Sequence, residues 1–89
     1  MVTIVYSDNI NDKEFIVNGN TVIGPDGVPV TKDHDITLAE ICDMAGFDKR
    51  RHLSLNGDEM SYADLNVTPA QMGLSGRVFL MALAKTDNA

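Results

Sequence analysis

Cysteine is almost absent from the chain, since Cys42 is the only one among 89 residues. A single thiol cannot form an intramolecular disulfide, an iron–sulfur cluster or a multi-cysteine zinc site from this chain alone. Small secreted domains are usually held together by several disulfides. We therefore expect a reducing, cytoplasmic location.

Long hydrophobic runs are also missing. The longest apolar run extends from Val78 to Ala84, far short of the roughly 20 residues that cross a bilayer as a helix. The first six residues form a strand-like run without the basic start of a signal peptide. The sequence predicts no association with a membrane.

Basic residues are few, with 7 Lys and Arg against 13 Asp and Glu, which gives a formal net charge of -6. Such a chain repels phosphate backbones, so ordinary nucleic-acid binding is not expected. The same charge attracts basic partners. An acidic inhibitor or nucleic-acid-mimic decoy remains an alternative, although the acidic residues are scattered and not arranged in rows.

The length corresponds to one small domain over residues 1–89. One segment is typical of a helix, over about residues 38–45. Thr37 and Glu40 have the spacing of a capping box, and Gly46 is suited to a left-handed helix end. The apolar residues follow at the spacing of one buried helix face: Leu38, Ile41, Cys42 and Ala45.

Strand signals surround this helix. The first third alternates apolar clusters with turn signals at Asn18-Gly19 and at residues 24–27, and Pro29 restricts its segment to a sheet edge. Asn56-Gly57 is a further hairpin signal. The predicted strand-like segments are 2–6, 15–17, 21–23, 28–30, 52–55, 59–62 and 77–84.

The last third resembles the carboxy-terminal half of ubiquitin-like domains, and the similarity covers about residues 37–84. It is carried by Tyr62-Ala63-Asp64-Leu65, Met72-Gly73-Leu74 and the run from Ser75 to Met81. The resemblance implies an α+β fold of β-grasp type, with a mixed sheet and one packed helix. Additional turn signals predict an inserted or lengthened hairpin around Asn18 to Val30. Conjugated modifiers and sulfur carriers end in Gly-Gly, a pair that occurs nowhere in this sequence, so their chemistry is not expected.

No catalytic constellation is evident. Cys42 falls on the buried helix stripe, where it acts as a small apolar residue. His34 lies between Asp33 and Asp35, a weak candidate for a divalent cation, and neither it nor His52 has an evident acid–base partner. We predict a non-enzymatic protein without catalytic residues, cofactor or metal site.

The final strand is the most informative segment. Side chains alternate between the two sides of a strand, so Val78, Leu80 and Ala82 share one side. If they contact the helix, Phe79, Met81 and Leu83 face the other way, where ubiquitin-like domains have their principal recognition surface. The alternative is that the additional hairpin folds over this side and buries it.

These observations predict a protein-interaction module that binds a protein partner through an apolar sheet side, with acidic residues at the rim. Lys49, Arg50, Arg51 and His52 form a basic cluster, which either complements the helix carboxy terminus or contacts an acidic segment. A self-associating structural subunit, which would make the protein a homo-oligomer, is a further alternative. The predicted partner-binding residues are Phe79, Met81, Leu83, Leu55, Arg50 and Arg51.

Overall fold

The computed structural model of the protein describes residues 1–8, 11–48 and 51–83. These residues form seven β-strands, one α-helix and one short 3-10 helix, so the expected α+β class is confirmed. In chain order the elements are β1 (Val2–Ser7), β2 (Asp12–Asn18), β3 (Thr21–Ile23), β4 (Pro29–Thr31), α1 (Leu38–Ala45), β5 (Leu53–Leu55), β6 (Asp58–Met60), the 3-10 helix (Tyr62–Leu65) and β7 (Gly76–Ala82).

The strands form one mixed sheet in the order β4-β3-β2-β1-β7-β5-β6. Strands β1 and β7 are parallel neighbours at its centre, with Val5 opposite Phe79. The remaining strand pairs are antiparallel. The long, apolar last strand therefore lies in the interior of the sheet and not at its edge.

The additional amino-terminal strands widen the sheet. Strands β2 and β3 are joined by a two-residue loop, Gly19-Asn20, in which Gly19 has a φ of +63°. Strand β4 pairs with β3 and is separated from β7 by three strands. The alternative in which this hairpin folds over the side of β7 that carries Phe79 is therefore wrong.

Helix α1 has the bounds and both ends that the sequence predicts. The Glu40 N–H donates to Thr37 Oγ1 (3.2 Å), and the Thr37 N–H donates to Glu40 Oε1 (2.9 Å). Gly46 is left-handed, with a φ of 84°. The Lys13 ammonium reaches across from β2 and donates to the Ala45 carbonyl (2.9 Å), where a cation stabilises the negative end of the helix.

The core lies between α1 and one side of the sheet. Cys42 belongs to it and is completely buried, as predicted. Burial raises the pKa of its thiol to about 12, so the thiolate is disfavoured. The other completely or almost completely buried core residues include Ile4, Phe15, Val22, Ile36, Leu38, Ile41, Leu53, Leu65, Val78, Leu80 and Ala82.

Thr37→Ala should lower the free energy of unfolding by about 1 kcal/mol, because the Glu40 N–H loses its cap. Thr37→Ser keeps a hydroxyl in the same place and is the matched control. Urea unfolding followed by circular dichroism measures both. Equal stability of the alanine variant and the original protein would show that the capping box contributes nothing to the fold.

Candidate functional site

The side of the sheet opposite α1, which we call the outward face, carries large apolar side chains. On β7, Val78 and Leu80 point into the core, whereas Phe79 is 50% exposed and Met81 is 39% exposed. The alternation of the strand thus places Phe79 and Met81, two of the six predicted contact residues, on the outward face.

The apolar part of the outward face extends over four strands. Val5 faces outward between Phe79 on β7 and Glu14 on β2, and is only 4% exposed although it lies outside the helix-side core. Ile16 and Ile23 are cross-strand partners on β2 and β3, and both are half-buried. The ring of Phe79 therefore lies next to the apolar Val5, and Ile16 and Ile23 add apolar surface further across the same face.

A charged pair lies beside the aromatic ring. Arg77 Nη2 donates to Glu14 Oε2 at 2.9 Å. The Arg77 guanidinium carbon is 6.0 Å from the centroid of the Phe79 ring, a distance at which a cation is attracted to the π face. Both charged side chains are about half exposed, so this pair contributes little to stability.

Acidic residues lie on both sides of Met81. Met81 is opposite Ser7 on β1 and opposite Ser54 on β5. One strand further out in the same register, Asp12 is opposite Ser7 and Glu59 is opposite Ser54. Both acidic residues are exposed, so carboxylates lie on either side of the Met81 end of the outward face. That they select a basic partner stays a prediction.

The backbone of Phe79 is bonded to Asn56, a residue that the sequence analysis did not connect to the site. The Asn56 N–H donates to the Phe79 carbonyl (2.8 Å), and the Phe79 N–H donates to Asn56 Oδ1 (3.0 Å). Asn56 has a φ of 51° and Gly57 a φ of 94°, the geometry of the predicted Asn-Gly hairpin turn. The same turn therefore closes the β5–β6 hairpin and orders the strand that carries the exposed ring.

The structure places Leu55 in the core, whereas the prediction that Leu83 is a contact residue stays a prediction. Leu55 is only 5% exposed and lies on the helix side opposite Leu80, so its prediction as a contact residue is wrong. It pairs with a core position of β7, and strand alternation keeps it in the core. Leu83 directly follows β7 and is half-buried, with its N–H donating to the His52 carbonyl (2.8 Å).

The basic cluster is only partly described, because Arg50 and Lys49 lie outside the described residues. Arg51 donates from Nε to the Leu83 carbonyl (2.7 Å) and from Nη2 to the Ala82 carbonyl (3.2 Å). Its guanidinium therefore stabilises the end of β7, whereas Lys13 contacts the helix carboxy terminus. Contact of the cluster with an acidic partner stays a prediction.

Both histidines have acidic partners in the structure. His34 Nδ1 is 2.9 Å from Asp33 Oδ1, and its Nε2 is 2.8 Å from Glu40 Oε2. His52 Nδ1 is 2.9 Å from Glu59 Oε2. Glu40 and Glu59 come close to these histidines only after the chain folds, so neither partner is evident from the sequence.

The hydrogen bond to Glu40, followed by that to Asp33, raises the pKa of His34 above its usual value of 6.5. Both ring nitrogens of His34 are used in these contacts. Within residues 1–8, 11–48 and 51–83, no cluster of His, Cys, Asp and Glu side chains is arranged to hold a metal ion.

Comparisons of the chain with protein-family models, with curated proteins and with solved structures find no match. In the part of the chain that the structure describes, neither helix is long and apolar enough to cross a membrane.

The raised pKa of His34 makes stability depend on pH. Its protonation stabilises the folded state, so this contribution is complete below about pH 6.5 and is lost as the pH rises through the folded-state pKa. Titration of the His34 ring by NMR should give a pKa above 6.5, and Asp33→Asn should lower it. His34→Gln should cost more stability at pH 5.5 than at pH 8.5 in urea unfolding. An equal cost at both pH values would contradict the assignment.

Asn56→Ala should lower the free energy of unfolding by about 1–2 kcal/mol, since alanine is disfavoured at positive φ and cannot accept from the Phe79 N–H. Asn56→Asp retains the acceptor oxygen and is the matched control. Hydrogen exchange measured by NMR should show faster exchange of the Phe79 amide in the alanine variant only. Unchanged exchange would mean that Asn56 does not order this part of β7.

Proposed function

We propose that the chain is a ubiquitin-like domain of β-grasp fold, acting as a non-enzymatic protein-interaction module through its outward face. The fold proposal is supported by the mixed sheet, the one capped helix packed on it among the described residues, the long last strand and the additional amino-terminal strands. The similarity over residues 37–84 implies the mixed sheet, the packed helix and the long last strand, whereas the additional strands β3 and β4 are the inserted hairpin by which the chain differs from such domains.

The exposure of Phe79 and Met81 on a central strand is the observation that carries the functional proposal. An aromatic ring and a methionine side chain that share one face offer a large apolar contact area. Aromatic and methionine residues are enriched at the centres of protein interfaces, which polar residues surround. Methionine also adapts its shape to different partners.

The charges around this centre favour a basic partner. Asp12 and Glu59 lie on either side of Met81 in the register of the sheet. The net charge of -6 steers cationic surfaces towards the protein and repels anionic ones. We therefore propose a protein partner with an apolar centre and Lys or Arg residues at its rim.

Phe79→Ala tests the proposed function. Proteins captured from cells by the immobilised domain and by this variant are compared, and the affinity of each differential partner is then measured with purified components. We expect at least a tenfold loss of affinity, as at interface hot spots. We expect the melting temperature to fall by less than about 8 °C, because a half-exposed ring contributes little to the core.

Val78→Ala is the matched control on the same strand. It removes a side chain that is 1% exposed on the helix side, so it should destabilise the protein by about 2 kcal/mol and leave the affinity of the folded domain unchanged. A large stability loss in Phe79→Ala with unaltered affinity would contradict the proposal.

Sedimentation velocity over a range of concentrations separates partner binding from self-association. A monomer at all concentrations agrees with the proposal. A dimer that Phe79→Ala dissociates would show instead that the outward face binds a second copy of the chain.

A further inference from the structure

A second apolar surface lies on the helix side of the sheet, where β3 and β4 extend past α1. Three exposed apolar side chains meet there, with Val28 57% exposed, Val30 43% and Met44 39%. Phe15 and Val22, which are almost completely buried, complete the apolar wall. We call this depression the extension groove.

The extension groove has the size of one side chain. Its cavity volume is about 220 Å³. A dry apolar cavity of about 150 Å³ holds a benzene molecule, whereas sites for drug-sized ligands start at about 300 Å³. The groove can therefore take one aromatic or branched aliphatic side chain, but not a larger molecule.

Gly24 keeps part of this space open. A Cβ atom at this position would lie 3.6 Å from the Phe15 ring and 3.6 Å from Asp26 Oδ1, which is ordinary van der Waals contact. The backbone of Gly24 does not have a positive φ, so a side chain fits there without strain and would project beside the ring. Substitution of this glycine thus offers a way to fill the groove.

The negative charge at the rim of the extension groove favours a basic residue next to the side chain that the groove would bind. Of the described residues that line it, Asp26 alone is charged. Its Oδ1 accepts from the Val28 N–H (3.1 Å), an Asx-turn contact that uses one lone pair of the carboxylate. The carboxylate can accept further hydrogen bonds at the rim, and a Lys or Arg side chain is the donor that complements it.

We infer that the extension groove binds a segment of a protein partner in which one aromatic or branched aliphatic residue is next to Lys or Arg. A second copy of the chain is a poorer occupant, because each copy carries a net charge of -6 and like charges repel. The groove and the outward face are on opposite sides of the sheet. This inference therefore does not depend on the function proposed for Phe79.

Capped five-residue peptides test the inference with the full chain. The probe has a central phenylalanine flanked by two arginines. One matched peptide replaces the phenylalanine with alanine, and another replaces both arginines with glutamates. We expect the probe to shift the methyl NMR signals of Val28, Val30 and Met44, and we expect titration of these signals to show that each matched peptide binds at least threefold more weakly.

Three variants identify the groove as the site. Asp26→Asn keeps the oxygen that accepts from the Val28 N–H and removes the charge. It should therefore lower the affinity for the probe peptide about threefold, the effect of one exposed ion pair. Gly24→Val should fill the groove and abolish the methyl shifts, with its melting temperature confirming that it is folded. Gly24→Ala adds a smaller side chain and should lower the affinity for the probe peptide less than Gly24→Val does.

Three results would overturn the inference. The first is the absence of methyl shifts at the groove in the original protein. The second is that the signals of Phe79 and Met81 shift instead, which would place the peptide on the outward face. The third is self-association in sedimentation that Gly24→Val abolishes, which would identify a second copy as the occupant.

Discussion

In the described part of the chain, one helix of eight residues has to shield a sheet of seven strands. Such a helix is about 12 Å long and roughly 10–12 Å across, whereas seven strands span roughly 29 Å at the usual separation. The helix can therefore cover only the middle of one side. The exposed Phe79 and Met81 on the opposite side, and the extension groove where β3 and β4 pass the helix, both follow from this mismatch.

Features that depend on neighbouring residues could be predicted from the sequence. The capping-box spacing of Thr37 and Glu40 and the left-handed Gly46 define the helix with its observed bounds. The period of two in the last strand separates Val78 from Phe79 before any partner strand is known. These signals succeed because hydrogen bonds and side-chain direction within one element are set over three to five residues.

Features that depend on residues far apart in the chain could not be predicted. The side on which Leu55 lies depends on its register with Leu80, which is 25 positions away. Arg51 bonds the end of β7, and this contact requires the last strand to lie next to β5. No local sequence pattern predicts the extension groove, because its walls come from three strands, a turn and the helix.

The two outermost strands, β4 and β6, have three residues each. Pro29 has no N–H to offer at the β4 edge, and exposed Asp58 and Glu59 occupy β6. Short edges that carry proline or charge are poor templates for an incoming strand. Ordered growth into cross-β fibrils is thereby suppressed at both ends of the sheet, even though the molecule keeps apolar side chains in contact with water.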